Sequence, residues 1–445
     1  MECGHFFVHN HGFYLTMLIG IRFALYKDVV ICTMHLWPPK TERAEKTVGY
    51  ARVPWILKIK CYNERKSYMK YDLMTDEQSE YIKMLHEFQM KELHPIVKEY
   101  EEQKKFPKHI HDKLGEMGFH GMDIPEEYGG TGFDLMTNYH IREELGYVDG
   151  GFGFSYALSK GAQSTVLRVG TEEQKKYICD RILNGGIGCN CITEAGAGSE
   201  VTAIRTTAKK VGGEYILNGT KSFITNAPIA DTFMVIAYTD KEKGPKGMSL
   251  FLVEKERGVK TGKKEDKMGL CTSETGEVIF EDVKVPEGNL IGKEGDGYKN
   301  ILVTLAKSRI VNTAIVVGIA QRALDEAVKY ANERVTFGKP IKKHQAVQFM
   351  LADMEMLVQA SRQYLMYGIR RMEKGLDIAM ASSGGKVFAS EAAMKVTIDA
   401  VQVMGGYGYC KDYPVEKLMR DAKIFSIFEG TNQINKMVLG GALTK

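Results

Sequence analysis

Two glycine-rich stretches hold residue types that could handle a phosphate-bearing ligand: Cys191-Ile-Thr-Glu-Ala-Gly-Ala-Gly-Ser-Glu200 and Gln402-Val-Met-Gly-Gly406. Gly196, Gly198, Gly219, Gly405 and Gly406 would let backbone approach a phosphate or a ring closely, and successive N–H groups can cradle a pyrophosphate. In a chain with 46 glycines such stretches are also ordinary turns. No dinucleotide-binding fingerprint is present, because Gly196-Ala-Gly-Ser199 lies where helices give way to strands and lacks the strand-turn-helix context. No metal site is expected either: Cys189 and Cys191 form C-x-C, and no second pair completes a zinc site.

The elements that must position these stretches follow an α, β, α order. Helices are predicted over 81–93, ahead of Pro95, and over 107–117, with a glycine turn at Tyr128-Gly129-Gly130. Capping boxes stand at Thr75 with Gln78 and at Thr171 with Gln174. From about residue 188 short β-type runs take over: 215–217 and 222–225 flank Asn218-Gly219, which reads as a hairpin turn, and 234–238, 248–253 and 278–280 add strands. Helical spacing returns after Asn300. Val316, Ala320, Ala323, Ala327 and Tyr330 share one face, Val347, Met350, Leu351, Met354, Leu357 and Val358 another, and 386–403 and 413–440 supply two more helices. The predicted fold is α+β: a helical domain (69–187), an antiparallel β-domain (188–295) and a C-terminal four-helix bundle (296–445).

Residues 1–68 differ in composition. They hold both tryptophans (Trp37, Trp55), four of the eleven histidines and three of the eight cysteines, with ten Lys/Arg against five Asp/Glu. That leaves 50 basic against 51 acidic residues in the body. A net charge of +4 therefore implies no basic nucleic-acid surface. The apolar run from Phe13 is cut at Arg22, short of the ~20 residues a membrane helix needs. The expectation is that 1–68 is a disordered extension or a mis-assigned start, with the native protein beginning at Met69; a targeting or regulatory extension is the rival reading. Scattered cysteines point to a reduced, cytoplasmic chain.

From about Met69 to Lys445 the chain resembles the acyl-CoA dehydrogenase family. The stretch 191–200 looks like the family's flavin loop, and Leu217-Asn-Gly-Thr-Lys-Ser-Phe-Ile-Thr-Asn226 like the segment after it. Arg334-Val-Thr-Phe-Gly-Lys-Pro340 with His344-Gln345 resembles a third signature. Gln402 to Gly406, Arg420-Asp421 and Phe428-Glu-Gly-Thr-Asn-Gln433 complete the set.

The resemblance implies FAD as cofactor. Ile192, Thr193 and Ser199 match positions that hold flavin and pyrophosphate, Phe223 and Thr225 positions beside the isoalloxazine, and Thr431 and Gln433 cofactor contacts near the catalytic residue. Arg334, Thr336, Phe337, Gln345, Gln402, Gly405 and Gly406 match positions that grip the FAD of a neighbouring subunit, which implies a homotetramer built as a dimer of dimers. Glu429 matches the base that removes the α-proton of an acyl thioester while the β-hydrogen leaves as hydride; its backbone N–H is expected to bond the thioester oxygen. From the residues alone Glu429 also reads as a helix N-terminal acid. Arg309, Gly430 and Ser199 match substrate-side positions, although Arg309 also reads as an exposed helix-start arginine. Ser308 occupies a second position where some relatives carry the base, so Glu429 stands alone.

Ala195, Glu200 and Phe223 replace the family's usual proline, aspartate and tryptophan. The 220–231 stretch is similar to glutaryl-CoA dehydrogenase, but 148–156 holds no arginine for a carboxylate; Gly153, Phe154 and Tyr156 suit a short, branched or aromatic acyl chain better. The implied function is dehydrogenation of an acyl-CoA, with electrons passing to electron-transfer flavoprotein, in a bacterial cytoplasm and without membrane or nucleic-acid partners. Reduction of an enoyl- or arylacrylyl-CoA by the same residues in an anaerobic pathway is the close alternative. A non-catalytic flavin- or DNA-binding scaffold is the distant one, opposed by Glu429 and the neutral body.

Overall fold

The computed structural model describes residues 5–10, 13–26, 29–37 and 74–444, in two units, Met1–Asp76 and Glu77–Lys445. In the first, β1 (His5–Asn10), β2 (Phe13–Tyr26) and β3 (Val29–Trp37) pair as an antiparallel meander. Runs rich in β-branched and aromatic side chains favour extended backbone even without strict alternation. The expected start at Met69 lies outside the described residues.

The second unit begins with α1 (Asp76–Phe88), α2 (Val97–Gln103), α3 (Lys108–Glu116), α4 (Leu135–Val148), α5 (Gly150–Leu158), α6 (Gln163–Val169) and α7 (Glu172–Leu183). The Thr171/Gln174 capping box forms at the start of α7. Gln174 Nε2 also donates to the carbonyls of Gly288 and Leu290, both at 2.8 Å, so one side chain caps a helix and ties it to the next domain.

That domain holds β4 (Gly188–Cys191), β5 (Thr207–Val211), β6 (Glu214–Thr225), β7 (Thr232–Tyr238), β8 (Met248–Glu254), β9 (Lys260–Lys264) and β10 (Thr275–Pro286). Their order is β4-β7-β5-β6-β10-β9, with β8 on β7. Pairing is antiparallel except that β7 runs parallel to β4 and to β5. Strand β7 is buried along its whole length. Its alternate residues divide between two cores: Phe233, Val235 and Ala237 face the sheet's own interior, while Met234, Ile236 and Tyr238 pack with Ile178, Ile182 and Ile301 from the helices. The sheet is thereby wedged between the helical domains.

Asn218-Gly219 is not a hairpin turn. Strand β6 runs through it, and the turn between β5 and β6 is Gly212-Gly213, whose φ values of +59° and +87° give the left-handed pair that a two-residue hairpin needs. Asn218 instead exchanges two 2.9 Å hydrogen bonds with Asp282 across an irregularity in β10. Gly219 is needed for close approach: a Cβ there would lie 2.4 Å from Thr206 Oγ1 and 2.8 Å from Thr206 Cα. Gly219→Val is expected to lower stability by about 1–3 kcal/mol through overpacking, read as a lower thermal midpoint with secondary structure retained.

The C-terminal domain comprises α8 (Gly297–Val311), α9 (Ala314–Glu333), a two-residue ladder of β11 (Val335–Thr336) with β12 (Lys339–Pro340), α10 (Gln345–Glu373), α11 (Ala379–Met404), α12 (Gly406–Tyr409), α13 (Val415–Lys423) and α14 (Asn432–Leu443). Helix α11 packs against α8, α9, α10, α13 and α14. Gly297–Glu333 is long and apolar enough to cross a bilayer, but Ile315, Val316, Val317 and Ile319 in it pack into the bundle core. The helix expected over 413–440 is broken into α13 and α14. Glu429 and Gly430 between them have φ of +56° and +83°, which no right-handed helix accommodates.

Candidate active site

The break that interrupts the last helix holds Glu429. Thr431 caps α14, its side chain accepting from Ile434 N at 3.2 Å, so Glu429 precedes the cap and is not a first-turn acid. Its conformation is held from several sides. Arg309 Nε donates to the Glu429 carbonyl at 2.6 Å, Lys386 Nζ to the Gly430 carbonyl at 2.8 Å and to Asn432 Oδ1 at 2.9 Å, and Asn435 Nδ2 to the Gly430 carbonyl at 2.8 Å. A Cβ at Gly430 would stand 2.9 Å from Arg309 Nη2. A non-glycine residue in the left-handed region, over-determined by its surroundings, is the kind of strain found at functional sites.

The carboxylate is equally directed. Ser308 Oγ donates to Glu429 Oε1 at 2.7 Å, whereas Oε2 is buried and, among the described residues, has no hydrogen-bond partner. Burial raises the Glu429 pKa above the ordinary carboxylate value, against the Ser308 hydroxyl and the charges of Arg309 and Lys386. Burial also pushes the Lys386 ammonium down to about 8. The result is a buried carboxylate with one oxygen occupied and the other open, suited to accept a proton. Arg309 is a half-buried residue in the last turn of α8, not an exposed residue at a helix start.

The flavin-loop residues gather around β4 and β6. Ser222 N donates to the Thr193 carbonyl at 2.9 Å, which sets Thr193 beside Phe223. Beneath the loop, fully buried Lys221 donates to the Ile192 carbonyl at 3.1 Å and to Glu194 Oε1 at 2.9 Å. Glu194 also accepts from Arg205 N, Thr206 N and Thr206 Oγ1. Burial by itself would raise the Glu194 pKa, but Lys221 and these donors hold it below the usual value. Above that rigid base Ser199 is exposed, and a Cβ built at Gly196 or Gly198 meets nothing within 4 Å. Phe223 is 63% exposed with φ +58°, while Thr225 is half-buried and pairs with Thr275. An aromatic face held outward beside an open, glycine-lined loop fits a flavin and its pyrophosphate.

A second group lies on the C-terminal domain. Arg334, Phe337, Gln345, Gln402, Gly405 and Gly406 are exposed and Thr336 is half-buried, with Thr336 Oγ1 3.1 Å from His344 Nε2. The Arg334 guanidinium sits 5.8 Å from the Tyr407 ring centre, bringing the start of the β11–β12 ladder to the glycine pair. Phe337, 95% exposed with φ +49°, projects from the same ladder. Gln433 is exposed on the first turn of α14, and Thr431 is engaged as its cap.

The acyl-chain expectation divides. Phe154 stacks on Phe428 with ring centres 4.4 Å apart, an aromatic wall one residue from Glu429. Tyr156, two residues on along α5, faces away: it is fully buried, with its hydroxyl 3.1 Å from His120 Nδ1, in the core of the N-terminal domain. Two residues along a helix are about 200° of rotation, so both cannot line one pocket. Gly153 packs on α4, where a Cβ would be 2.9 Å from the Leu145 carbonyl carbon. Sequence reading also missed Lys221, Lys386, Asn312 and Asn435, polar side chains that brace the loops. Lys221 lies in a β-run and Asn312 at the end of a helix, where neither residue type carries a pattern that marks burial.

Comparison with known proteins agrees along the body of the chain. Residues 75–186 match the model of the acyl-CoA dehydrogenase N-terminal domain, 189–283 that of the middle domain and 295–444 that of the C-terminal domain. The chain is 42% identical to the 3-(aryl)acrylate reductase of Clostridium sporogenes, over 83% of this chain and 99% of that one. It is 41% identical to the CarC subunit of the caffeyl-CoA reductase-Etf complex of Acetobacterium woodii, over 82% and 97%. The solved structure of butyryl-CoA dehydrogenase from Megasphaera elsdenii superposes with a TM-score of 0.82 at 40% identity, over 84% of this chain and 99% of that one. The chain belongs to the acyl-CoA dehydrogenase family and is an FAD-dependent oxidoreductase.

Proposed function

We propose that this enzyme converts an acyl-CoA thioester to the trans-2-enoyl-CoA, with Glu429 as the base. The buried, unpartnered Oε2 of Glu429 carries the reading. The α C–H bond breaks, its proton goes to Oε2, and the electron pair left on the α-carbon is stabilised by the thioester carbonyl, whose oxygen the Glu429 N–H would bond. Arg309, Lys386 and Asn435 hold the loop so that this N–H and the carboxylate act together. FAD, when bound, supplies the hydride acceptor for the β-hydrogen. Ile192, Thr193, Ser199, Phe223 and Thr225 would hold it, with Thr431 and Gln433 near the catalytic residue.

Arg334, Thr336, Phe337, Gln345, Gln402, Gly405 and Gly406 form an exposed set on a different domain, which supports a role in gripping the FAD of a neighbouring subunit in a tetramer. Arg309 and Gly430, with Ser199, flank the substrate. The lack of arginine in the segment 148–156 and the Phe154–Phe428 stack favour an uncharged short or aryl acyl group. Electron-transfer flavoprotein is the proposed redox partner, the enzyme working in a bacterial cytoplasm. The two reductase relatives favour, as a second reading, the same residues reducing an arylacrylyl-CoA.

The test is anaerobic titration of the purified holoenzyme with butyryl-, isovaleryl- and 3-phenylpropionyl-CoA. Bleaching of the oxidised flavin by one of them is the expected result and identifies the acyl class. Bleaching by none, with the dithionite-reduced enzyme reoxidised by cinnamoyl-CoA, would replace dehydrogenation with the reductase reading.

A further inference from the structure

Behind Ser308 a line of buried polar side chains runs from the catalytic carboxylate to the far side of α4. Glu429 Oε1 accepts from Ser308 Oγ at 2.7 Å, Asn312 Nδ2 donates to Ser308 Oγ at 2.9 Å, and Arg142 Nε donates to Asn312 Oδ1 at 3.1 Å. Arg142 is completed by Asp123 Oδ2 at 2.7 Å from Nη2 and by the Asn138 carbonyl at 3.1 Å from Nη1. Arg142 and Asn312 are both buried.

The direction of every bond in this line follows from its far end. A guanidinium only donates, so the Asn312 oxygen must face Arg142 and its NH₂ must face Ser308. A hydroxyl has a single proton. With its oxygen already accepting from Asn312, Ser308 has that proton free for one acceptor, and among the described residues it goes to Glu429 Oε1. We propose that Arg142 and Asn312 are positioning residues that commit the Ser308 hydroxyl to donating to Glu429 Oε1, which favours the ionised form of the carboxylate and leaves Oε2 as the oxygen that takes the substrate proton. This rests on Glu429 being the base and adds a control on its proton order.

The charged groups facing the carboxylate are Arg309 from α8 and Lys386 from α11; Asp123 and Arg142 close the line at its other end. All of these stay in place in the decisive variant. Asn312→Asp is nearly isosteric and keeps an acceptor for Arg142, but the second carboxylate oxygen then faces Ser308 and draws the hydroxyl proton away from Glu429. Ser308→Ala removes the donor, and Ser308→Thr restores it.

Two readouts test this on the holoenzyme. The first is the pH dependence of single-turnover flavin bleaching by the acyl-CoA that reduces the wild type. The second is a substrate-free infrared pH titration of the Glu429 carboxyl band, identified by its loss in Glu429→Gln. Loss of a charge-assisted hydrogen bond corresponds to roughly one pH unit or more. Deprotonation of Glu429 switches the base on, so the acid limb and the infrared midpoint should move upward by about that much in Asn312→Asp and Ser308→Ala. Ser308→Thr should match the wild type, and thermal midpoints should be similar throughout. Midpoints within about 0.2 of the wild type in both Asn312→Asp and Ser308→Ala would overturn the proposal, because a merely structural role leaves them unmoved. A wild type that no acyl-CoA bleaches would count against the proposed reaction, while the infrared titration would still decide the proton order.

Discussion

Glu429→Gln is expected to abolish flavin bleaching by acyl-CoA, with the single-turnover rate falling by about four orders of magnitude or more, while the protein keeps its fold and its yellow colour. General-base catalysis alone contributes up to about 10⁴, and no other side chain on the loop is placed to take over the role. The carboxylate's hydrogen-bond partner is Ser308, at 2.7 Å, and a hydroxyl cannot accept and hold a proton near neutral pH. Arg309 is a cation, and Lys386, although burial pulls its ammonium down to about 8, is engaged in donating to the Gly430 carbonyl and to Asn432 Oδ1. The substitution is mild structurally: the amide is isosteric, its oxygen can still accept from Ser308, and Arg309 grips the unchanged backbone carbonyl. Loss of rate should therefore appear without loss of acyl-CoA binding, measured as spectral perturbation of the oxidised flavin. A rate within tenfold of wild type would remove Glu429 from the role of base.

How much of this was legible in the sequence depends on whether a residue's part is marked by type or by neighbourhood. Glu429 and the loop 191–200 could be singled out as candidates because their motifs are contiguous. The three-domain order was readable because hydrophobic periods of 2 and 3.6 differ sharply along the chain. Asn218-Gly219 misled because its residue types suit a hairpin, whereas the requirement at Gly219 is room for Thr206, which lies on the other side of the hairpin turn at Gly212-Gly213. The break before α14 was missed because Phe428 to Gln433 contains no proline, and the left-handed Glu429 is imposed by Arg309, Lys386 and Asn435 from elsewhere in the bundle. Tyr156 was grouped with Phe154 as suiting an acyl chain because the two are close in sequence, although helical geometry sends them to opposite sides. Bracing residues such as Lys221 and Lys386 are legible only once the fold buries them, since lysines read as surface residues until shown otherwise.

A third buried lysine gives the largest expected effect on stability. Lys417 Nζ lies 2.5 Å from Asp149 Oδ1, 2.5 Å from Asp421 Oδ2 and 3.7 Å from Glu101 Oε2, and the Asp149 and Asp421 side chains are wholly buried. The two aspartates are also structural acceptors: Asp149 caps α5 through Phe152 N and bonds Thr272, and Asp421 accepts from Leu270 N. The cluster thus joins the N-terminal helices, the β-domain and α13. Burial by itself would depress the Lys417 ammonium, but the surrounding carboxylates hold it well above its ordinary value, while burial pushes Asp421 up to about 6. Lys417→Met leaves two carboxylates in the interior without their cation, a change that costs about 3–5 kcal/mol. Lys260→Met, at an exposed pair with Glu281, should leave the unfolding midpoint where it is. The pH dependence separates lost charge from lost packing. Carboxyls whose folded pKa is raised above the unfolded value bind protons on folding, so in Lys417→Met that contribution is present at low pH and lost as pH rises through the raised folded pKa. The deficit against wild type should therefore be smaller at pH 5 than at pH 8, in urea unfolding of the holoenzyme; a deficit independent of pH would assign the effect to packing of the lysine stem.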